Sequence, residues 1–572
     1  MLDYMENYTR WLNDPAVDAA TKAELAAIQS EDEIKSRFNG YMSFGTAGLR
    51  SVMGAGTSRM NLFTVAHATE GLARLILKTP GGKERGVAVC YDSRNNSKEF
   101  AHRAAEVLSA DGIRVYLFPE MRPTPVLSFA IRDLNCIAGI NITASHNPSE
   151  YNGYKAYWED GGQLPPDHAA TVAAEIASVD IFRDVPAPDK ADASLITITD
   201  SSLDERYMEK VLEQAVNPDA ITQVADEMAI VYTPLHGTGA TMVPQLLKKA
   251  GLTKLYTVDE QMLPDGNFPT VKFPNPEFPQ AFDLGRIIAD RVGSDLIVAT
   301  DPDADRVGVM AKDKNGEFKC ITGNQMGALL LEYIATAFEN TGKMPSEPYA
   351  VKTIVTTELC SRICEAHGVH LYNVLTGFKF IGEVIKNHEI AGHGTFLLGF
   401  EESYGYLKGT YARDKDAVVA SLLICEMAAY YKTRNMTLID ALDEIFEKYG
   451  YFRESVISIS MDGLDGAERM AAMMSGLRKN PPSEIGGKKV AIFKDFLEEK
   501  TVDFRSGAAY GTGLPKSDVL YYLMEDDNLV VVRPSGTEPK VKVYILANGK
   551  DDADAQANAE ACIAGARKLI EG

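Results

Sequence analysis

From about residue 44 onward, short runs of β-branched and other apolar residues alternate with amphipathic stretches at helical spacing. This pattern predicts strands at residues 85–91, 113–118, 136–142, 228–233, 255–258, 295–300 and 349–355. It predicts a helix over residues 97–110, between the first two strands. Strands that alternate with helices indicate α/β units built on largely parallel sheets.

Two kinds of segment interrupt this alternation. In the first 40 residues, Trp11, Leu25 and Ile34 stand among acidic and Ala-rich stretches, which predicts a helical arm over residues 1–43. The Pro/Ala/Asp-rich stretch 185–193 and the Pro- and Gly-rich stretch 479–487 predict boundaries, and Asn315-Gly316 predicts a tight hairpin turn. We therefore predict four domains after the arm, at residues 44–190, 205–312, 320–450 and 490–572.

The composition narrows the possible partners. The chain has 572 residues, 45% of them hydrophobic, and a formal net charge of −22. So acidic a protein is not expected to bind nucleic acid or an anionic membrane, although local positive charge could hold a small anion. The N-terminus carries no apolar signal segment, and the seven cysteines are scattered, so a reducing, cytoplasmic location is predicted.

The strand predicted at residues 136–142 is followed by the loop Thr-Ala-Ser-His-Asn-Pro, residues 143–148. Ser145 in this Pro-closed loop, beside His146 and with Lys155 nearby in sequence, is a candidate nucleophile. A Ser turn without chemistry is the alternative interpretation, because Ser and Asn are common turn residues.

A second loop, Asp-Pro-Asp-Ala-Asp-Arg, follows the strand predicted at residues 295–300. Asp301, Asp303 and Asp305 stand at alternate positions and can converge on one hard cation such as Mg²⁺, which prefers oxygen ligands. Close packing of three carboxylates without a cation would be costly. The alternative is a solvated acidic loop.

Three further segments carry polar side chains that suit a phosphorylated sugar. Glu401, Glu402 and Ser403 are flanked by glycines and could accept hydrogen bonds from sugar hydroxyls. The segment 533–540, Arg-Pro-Ser-Gly-Thr-Glu-Pro-Lys, combines a guanidinium, hydroxyls and a glycine in a form that suits a phosphate. The segment 44–50 places Arg50 after a glycine. The alternative interpretations are plain turns for the first two segments and a strand entry with a surface arginine for the third.

Together, the loops TASHNP, DPDADR and RPSGTEPK, in this order and at these separations, resemble those of the α-D-phosphohexomutase superfamily, the phosphoglucomutases and phosphomannomutases. The resemblance runs from about residue 44 to residue 544. It implies an α/β fold in which three related domains with mixed sheets and a smaller α+β C-terminal domain surround a central cleft.

The resemblance also implies a site. Ser145 would be the phosphoserine with His146 beside it, and Mg²⁺ would be bound by a phosphoserine oxygen together with Asp301, Asp303 and Asp305. The implied phosphoryl- and proton-transfer residues are Arg50, Lys155, Arg306 and Lys415. The implied sugar-binding and distal phosphate-binding residues are Thr376, Gly377, Lys379, Glu401, Ser403, Arg533, Ser535, Gly536 and Thr537.

The sugar loop and the N-terminal arm favour one branch of the superfamily. Phe400 follows Gly399 and Tyr404 precedes Gly405, which resembles the phosphoglucomutase/phosphopentomutase branch. The implied reaction interconverts glucose 1-phosphate and glucose 6-phosphate through a phosphoserine enzyme, with glucose 1,6-bisphosphate as activator and a phosphosugar as the partner. Phosphomannomutase, phosphopentomutase and metal-dependent sugar phosphatase activities are the alternatives, and a monomer or a homodimer is expected.

Three other interpretations are weaker. Residues 236–242 begin like the dinucleotide fingerprint of an oxidoreductase, but Met242 replaces its third glycine, so a tight turn is predicted. Cys360, Cys364 and His367 lie at helical spacing and suggest zinc, but Gly368 is expected to end that helix before His370. A non-catalytic sugar-phosphate-binding protein would not need a serine next to a metal loop.

Overall fold

A computed structural model describes residues 3–42, 44, 48–461, 466–535 and 540–571 of the chain. The chain forms two compact units. The first comprises Met1–Thr322, Gly382–Gly392 and Ser403–Thr437, and the second comprises Gly323–Ile381, His393–Glu402 and Leu438–Gly572. No helix among the described residues is long and apolar enough to cross a membrane.

The N-terminal segment of the first unit forms three short helices, α1 (Tyr4–Asn13), α2 (Ala19–Ala26) and α3 (Glu31–Phe38). Asp3 and Asp18 start the first two by accepting hydrogen bonds from backbone N–H groups of the first turn. Trp11, Leu25 and Phe38 are fully buried in a shared apolar cluster. The cluster also contains Ala55 and Ile181, so it anchors the helices to the domain that follows.

The next domain of the first unit is built on a six-stranded mixed sheet. Its elements are β1 (Leu49–Val52), α4 (Leu62–Lys78), α5 (Gly82–Arg85), β2 (Val87–Tyr91), α6 (Ser97–Ala110), β3 (Val115–Leu117), α7 (Thr124–Asp133), β4 (Ala138–Ile142), β5 (Tyr151–Trp158), α8 (Pro166–Ser178) and β6 (Ile196–Ile198), with 3₁₀ turns at Pro188–Lys190 and Ala193–Leu195. The strand order is β1-β5-β4-β2-β3-β6. β2 pairs in parallel with β3 and β4, whereas β5 is antiparallel to both β4 and β1. Because β4 and β5 are adjacent antiparallel strands, residues 143–150 form the turn between them.

The second domain of this unit has a five-stranded sheet in the order β11-β10-β9-β7-β8. Its elements are α9 (Ser201–Leu212), α10 (Asp219–Val224), β7 (Ala229–Thr233), α11 (Gly239–Lys249), β8 (Lys254–Thr257), α12 (Asp259–Met262), a 3₁₀ turn (Pro279–Phe282), α13 (Asp283–Val292), β9 (Leu296–Thr300), β10 (Val307–Lys312) and β11 (Phe318–Ile321). β9 and β10 are antiparallel with Thr300 opposite Val307, so residues 301–306 form the loop between them. The predicted hairpin at Asn315-Gly316 joins β10 and β11, and Gly316 has a left-handed backbone with φ of 84°.

In the second unit, three parallel strands carry the predicted sugar loops. The elements are α14 (Gly323–Asn340), β12 (Pro348–Thr353), α15 (Leu359–Ala366), β13 (His370–Val374), α16 (Phe378–Ala391) and β14 (Thr395–Glu401), the later turns of α16 belonging to the first unit. β12 pairs in parallel with both β13 and β14. The carboxyl ends of β13 and β14 therefore lie on one edge, where residues 375–377 and Glu401 are found.

The chain then returns to the first unit with β15 (Gly405–Leu407) and α17 (Ala417–Thr433). α17 is apolar almost all round, as a helix buried on every side should be. Asp416 starts it by accepting hydrogen bonds from the N–H groups of Val418 and Val419. The start of this helix fixes the preceding residues 413–415 beside the domain with β9 and β10, because Ala417 N–H donates to the Ala304 carbonyl.

The rest of the second unit contains a sheet whose paired strands are all antiparallel. Its elements are α18 (Leu438–Tyr449), β16 (Tyr451–Ser460), α19 (Gly466–Lys479), β17 (Glu484–Ile485), β18 (Lys488–Asp495), β19 (Lys500–Asp503), β20 (Ala509–Gly511), β21 (Leu520–Met524), β22 (Leu529–Pro534), β23 (Lys540–Gly549) and α20 (Asp552–Glu571). The order is β16-β23-β22-β21-β18-β19-β20, and β17 pairs with β18. β16 pairs with β23 along its whole length, so this sheet uses chain from residue 451 onward.

Candidate active site

The loop after β4 presents Ser145 in a constrained conformation. Ser145 has φ of 51°, a left-handed backbone that costs about 1–2 kcal/mol for a residue with a Cβ. Its N–H donates to Thr143 Oγ1 at 2.8 Å, and its Oγ donates to Asp301 Oδ2 at 2.7 Å. His146 Nδ1 lies 3.2 Å from the same Oγ. The sequence-predicted serine and the first predicted metal ligand therefore touch.

The loop 301–306 turns sharply around its first carboxylate. Asp301 Oδ1 accepts hydrogen bonds from the N–H groups of Asp305 at 3.1 Å and Arg306 at 3.0 Å. Ala304 has φ of 49°, which closes the turn. These contacts bring residues 301, 303 and 305 to one side of the loop.

The three aspartates form a cluster with the chemistry of a hard-cation site. Asp301, Asp303 and Asp305 are fully buried, and each offers an oxygen within 4.8 Å of the others. Among the described residues, none donates a hydrogen bond to Asp303 Oδ1 or to Asp305 Oδ1. Buried carboxylate oxygens without a donor, in an all-oxygen set, fit Mg²⁺ better than a softer metal.

Two lysines predicted from sequence lie against this cluster. Lys155 Nζ is 2.7 Å from Asp303 Oδ2 and 3.3 Å from Asp305 Oδ2. Lys415 Nζ is 3.1 Å from Asp305 Oδ2 and 3.2 Å from Asp414 Oδ1. Both lysine side chains are at least nine-tenths buried, so the two ammonium groups balance carboxylate charge inside the protein.

The two predicted arginines lie at the edges of the same site. Arg50 donates to Asn147 Oδ1 at 2.8 Å, which ties β1 to the Ser145 loop. Arg306 donates to Glu277 Oε1 at 2.7 Å. Burial lowers the pKa of Arg50, and the positive charge of Arg306 lowers it further, so the two guanidinium groups are close enough to repel.

Burial and neighbouring charges shift the pKa values of the clustered residues in different directions. Burial raises the pKa of Asp301 well above its usual range, and the negative charges of Asp303 and Asp305 raise it further. Burial also raises the pKa of Asp303, but Lys155 outweighs it, and the net pKa lies far below the usual range. Burial, with Arg306 and Arg50 nearby, lowers the pKa of His146 well below 6.5, so its imidazole is neutral at pH 7.

Three supporting residues were not predicted to be near the site. Thr124, at the start of α7, donates its N–H to the Asp303 carbonyl at 2.8 Å and its hydroxyl to Asp303 Oδ2 at 3.0 Å. Thr238 donates its N–H to the Pro302 carbonyl at 2.8 Å. A Cβ on Gly237 would lie 2.4 Å from Pro302 Cα. The Gly-rich segment that begins like a nucleotide fingerprint is thus a turn, as predicted, and it packs against the aspartate loop.

In the second unit, the predicted sugar-loop residues lie at the carboxyl ends of β13 and β14. Gly377 has φ of 124°, and its N–H donates to Glu401 Oε1 at 2.9 Å. Thr376 is half-buried beside it, and Lys379 Nζ lies 5.0 Å from the centre of the Phe380 ring. Ser403, also half-buried, begins the next segment of the first unit.

The predicted distal phosphate residues begin at the end of β22. Arg533 interacts with the buried hydroxyl of Tyr544, and Ser535 N–H donates to the Lys540 carbonyl at 2.7 Å. Burial raises the pKa of Tyr544, the carboxylate of Glu402 raises it further, and Arg533 opposes both. Tyr544 was not predicted from the sequence. Gly536 and Thr537, predicted for the same site, lie outside the described residues.

The alternative zinc site does not form in the part of the chain that the structure describes, where the one candidate metal cluster is the aspartate trio. Cys360 and Cys364 are buried on α15, and Gly368, with φ of 64°, follows the end of that helix as predicted. His367 instead lies between two carboxylates. Its Nε2 is 2.9 Å from Glu332 Oε2, and its Nδ1 is 2.8 Å from Glu339 Oε1.

We expect this histidine to make stability depend on pH. Its hydrogen bond to Glu332 raises the pKa of His367, so its contribution is complete below the unfolded pKa of about 6.5. That contribution disappears as the pH rises through the higher folded pKa. His367→Gln should lower the thermal unfolding midpoint of the second unit by about 2–4 °C at pH 6, a loss of about 1 kcal/mol, and by less at pH 9. Thermal scans from pH 5.5 to 9 test this.

The control for this prediction is His370→Gln, which changes an exposed histidine at the start of β13. Its unfolding midpoint should follow the wild-type pH profile. A difference between wild type and His367→Gln that is the same at every pH would contradict the charged interaction with Glu332 and would indicate a loss of packing instead. Lys448 and Tyr449 also contact Glu332 and stay unchanged in both variants.

Family models cover most of the chain. The models for phosphoglucomutase/phosphomannomutase α/β/α domains I, II and III match residues 41–181, 205–316 and 322–449. The model for the C-terminal domain of the same family matches residues 517–563. The four matches occur in the order of the four predicted domains, and they confirm the predicted superfamily and its four-domain α/β architecture.

Similar proteins of known name agree with these matches. Phosphoglucomutase from Staphylococcus aureus strain MRSA252 is 37% identical over 519 residues, which cover 90% of this chain and 91% of that protein. Parafusin, a phosphoglucomutase of Paramecium solved in an open form, has a similar fold, with a TM-score of 0.68, 19% identity and coverage of 92% and 94%. A Burkholderia thailandensis protein of the same family superposes with a TM-score of 0.64, 17% identity and coverage of 92% and 96%. With four consecutive domain matches and a relative this similar over nearly its whole length, the chain belongs to the phosphoglucomutase/phosphomannomutase family.

Proposed function

We propose that this enzyme is a phosphoglucomutase that interconverts glucose 1-phosphate and glucose 6-phosphate through phosphorylated Ser145. The observation that carries the proposal is the 2.7 Å hydrogen bond from Ser145 Oγ to Asp301 Oδ2. The other two aspartates of the cluster lie in the same loop as Asp301. The staphylococcal relatives named phosphoglucomutase support glucose phosphates as substrates.

The proposed reaction consists of two phosphoryl transfers. In the first, a free hydroxyl of the sugar phosphate attacks the phosphorus of phosphoserine 145. A new P–O bond forms to the sugar, the bond from phosphorus to Ser145 Oγ breaks, and the hydroxyl proton passes to a base. The product is glucose 1,6-bisphosphate. In the second, the Ser145 hydroxyl, reprotonated after the first transfer, attacks the phosphorus of the other phosphate. A new P–O bond forms to Ser145 Oγ, the bond from that phosphorus to the sugar oxygen breaks, and the serine proton passes to that oxygen, so the phosphoserine is regenerated and the isomeric monophosphate is released.

Charge and position would supply most of the rate enhancement, because phosphate-monoester transfer is very slow without a catalyst. A phosphoserine carries about −1.5 to −2 charge at neutral pH. Arg50 and Arg306 would bind its oxygens, and the neutral imidazole of His146 would donate a hydrogen bond beside Ser145 Oγ. Of the two lysines predicted for proton transfer, Lys155 stays an ammonium, because burial lowers its pKa but Asp303 and Asp305 outweigh burial and raise it. Lys415, in its deprotonated form, is therefore the candidate for accepting the hydroxyl proton.

The residues that would hold Mg²⁺ are Asp301, Asp303 and Asp305, together with an oxygen of the phosphoserine. The ion would supply charge neutralisation and polarisation of the transferring group. The chain's own part is to keep the three carboxylates together, which the N–H groups of Asp305 and Arg306 do on one side and Thr124 does on the other.

The sugar and its second phosphate would be bound by residues that the resemblance identifies. Glu401 and Ser403 would accept hydrogen bonds from sugar hydroxyls, and Thr376, Gly377 and Lys379 would orient the ring. The group that would hold the phosphate not undergoing transfer is Arg533, Ser535, Gly536 and Thr537. We infer that glucose 1,6-bisphosphate acts as activator because it can rephosphorylate Ser145. A cytoplasmic location and a monomeric or homodimeric state stay predictions from the sequence.

The experiment that tests this proposal compares substrates and products in one assay. The protein is mixed with Mg²⁺, glucose 1,6-bisphosphate and either glucose, mannose or pentose 1-phosphate, and both the isomer formed and the free phosphate released are measured. We expect glucose 6-phosphate to form fastest, with little free phosphate. Faster conversion of mannose or pentose phosphate would favour the alternative mutases, and phosphate release without isomer would indicate a phosphatase.

A further inference from the structure

Arg94 is a buried cation that binds the Ser145 loop through its guanidinium group. It lies in the loop between β2 and α6, and its side chain is fully buried. Its Nη1 donates to the carbonyls of Pro148 at 2.9 Å and Tyr151 at 3.0 Å. Its Nη2 donates to the carbonyls of Ser145 and Asn147. One guanidinium therefore holds four backbone acceptors of one loop.

The Ser145 loop needs hydrogen bonds from a residue outside the loop. Ser145 occupies the left-handed region, which is unfavourable for serine. Inside the turn between β4 and β5, the described backbone hydrogen bonds run from Asn147 N–H to the Ala144 carbonyl and from Tyr151 N–H to the Pro148 carbonyl. Buried carbonyls that lose their donor cost about 1–3 kcal/mol each. A guanidinium has five donors in a fixed plane, whereas a lysine ammonium is a single point, so only arginine can serve four carbonyls at once.

Two neighbours fix the guanidinium itself. Asp92 Oδ2 forms an ion pair with Arg94 Nε at 3.4 Å, and Asp92 Oδ1 accepts hydrogen bonds from Arg94 N–H and Ser97 Oγ. Phe268 of the next domain covers the guanidinium, with 5.1 Å between Arg94 Cζ and the ring centre. Phe268 is itself buried.

The segment that carries Phe268 is connected to the aspartate loop. His236 contacts Thr270 Oγ1 at 2.8 Å and the Leu263 carbonyl at 3.0 Å, which brackets the Phe268 segment. His236 immediately precedes Gly237, which packs on Pro302 of the aspartate loop. The same small turn therefore supports the aspartates directly and Arg94 through Phe268.

We propose that Arg94 is the positioning residue of the Ser145 loop: held by Asp92 and Phe268, it fixes four loop carbonyls so that Ser145 Oγ keeps its direction toward Asp301. This inference rests on the proposed function, in which Ser145 carries the phosphoryl group. Arg94 acts through the loop and accepts no proton or phosphate itself. A misplacement of about 1 Å in a reacting group can reduce the rate by about 10²-fold.

The test uses Arg94→Lys and Arg94→Met in the full-length protein, with Arg103→Met as the matched control. Arg103 on α6 is also largely buried and donates to the Pro186 carbonyl and to Glu106, away from the Ser145 loop. Two quantities are measured: hydrogen exchange of the amides in residues 145–151, and single-turnover phosphoryl transfer from glucose 1,6-bisphosphate to Ser145. Steady-state kinetics with glucose 1-phosphate give kcat and KM.

We expect Arg94→Lys to exchange faster in residues 145–151 and to transfer phosphate about 10²-fold more slowly, with KM changed by less than about threefold. Arg103→Met should match the wild type in both quantities. If Arg94→Met does not fold, the results for Arg94→Lys alone test the inference. Wild-type exchange and transfer in a folded Arg94→Lys protein would overturn the inference, as would equal losses in Arg103→Met. A wild type that forms no isomer would overturn the proposed function alone, because the exchange measurement needs no turnover.

Discussion

We expect Ser145→Ala to lose isomerisation of glucose 1-phosphate by about 10⁴-fold or more in kcat, because the variant cannot carry the phosphoryl group between the two transfers. The fold should be retained, since the side chain removed is small and its loop is held mainly through backbone carbonyls. A coupled assay measures glucose 6-phosphate formation. Mass spectrometry of the peptide containing residue 145, after incubation with glucose 1,6-bisphosphate, should show phosphate in the wild type and none in the variant.

Two further variants separate loss of the nucleophile from loss of structure. Ser109→Ala removes another buried serine hydroxyl in the same domain, one that donates to the Glu106 carbonyl on α6, and it should keep wild-type activity. Ser145→Gly should be inactive yet about 1 kcal/mol more stable than Ser145→Ala, because glycine tolerates a left-handed backbone. Wild-type turnover by Ser145→Ala would rule out a phosphoserine at this position.

The second large effect is expected at Asp303. Asp303→Asn keeps the shape of the side chain but removes one of the three carboxyl groups that would hold Mg²⁺, and it also removes the ionic partner of Lys155. A metal ligand of this kind contributes several kcal/mol to transition-state stabilisation, so we expect kcat to fall by about 10³-fold. Isothermal titration with Mg²⁺ should show weaker binding, and the activity of the variant should saturate at a higher Mg²⁺ concentration.

The control for Asp303 lies at the other end of the same strand. Asp295, just before β9, pairs with Lys432 and accepts a hydrogen bond from Ala229 N–H, so Asp295→Asn changes an aspartate of the same domain without touching the cluster. Its Mg²⁺ affinity and activity should equal those of the wild type. Unchanged Mg²⁺ affinity in Asp303→Asn would exclude the aspartate cluster as the metal site.

The helices and strands of the α/β fold could be predicted from local sequence patterns. The residues at which they begin and end depend on features that are harder to recognise in the sequence. α6 was predicted at residues 97–110, where it lies, because its apolar residues recur at helical spacing. The strand predicted from residue 85 begins only at Val87, since residues 82–85 form a helical turn that Gly86 ends with φ of 76°. The arm was predicted as helical, but its division into three helices depends on caps such as Asp18, which are hard to distinguish from other surface aspartates.

The active-site loops could be predicted because each contains its chemistry within a few consecutive residues, as in the segment 301–306. Residues that act through the backbone of a distant segment gave no such signal. Thr124 and Arg94 bind carbonyls, and a carbonyl belongs to every residue, so no particular side chain in the sequence marks their partners. Tyr544 was missed for another reason: it lies in a regular strand whose alternating pattern predicts only a core residue.

The hydrogen bond from Ser145 to Asp301 joins positions 156 residues apart, and Lys415 adds a contact from still later in the chain. During synthesis, the domain that carries Ser145 therefore leaves the ribosome well before its partner aspartates exist. Contacts between such distant positions form late, after the closure of a long loop. A chain that ends before residue 301 lacks the acceptor of the Ser145 hydroxyl, so an unfinished molecule should not draw phosphate from the cell's sugar phosphates.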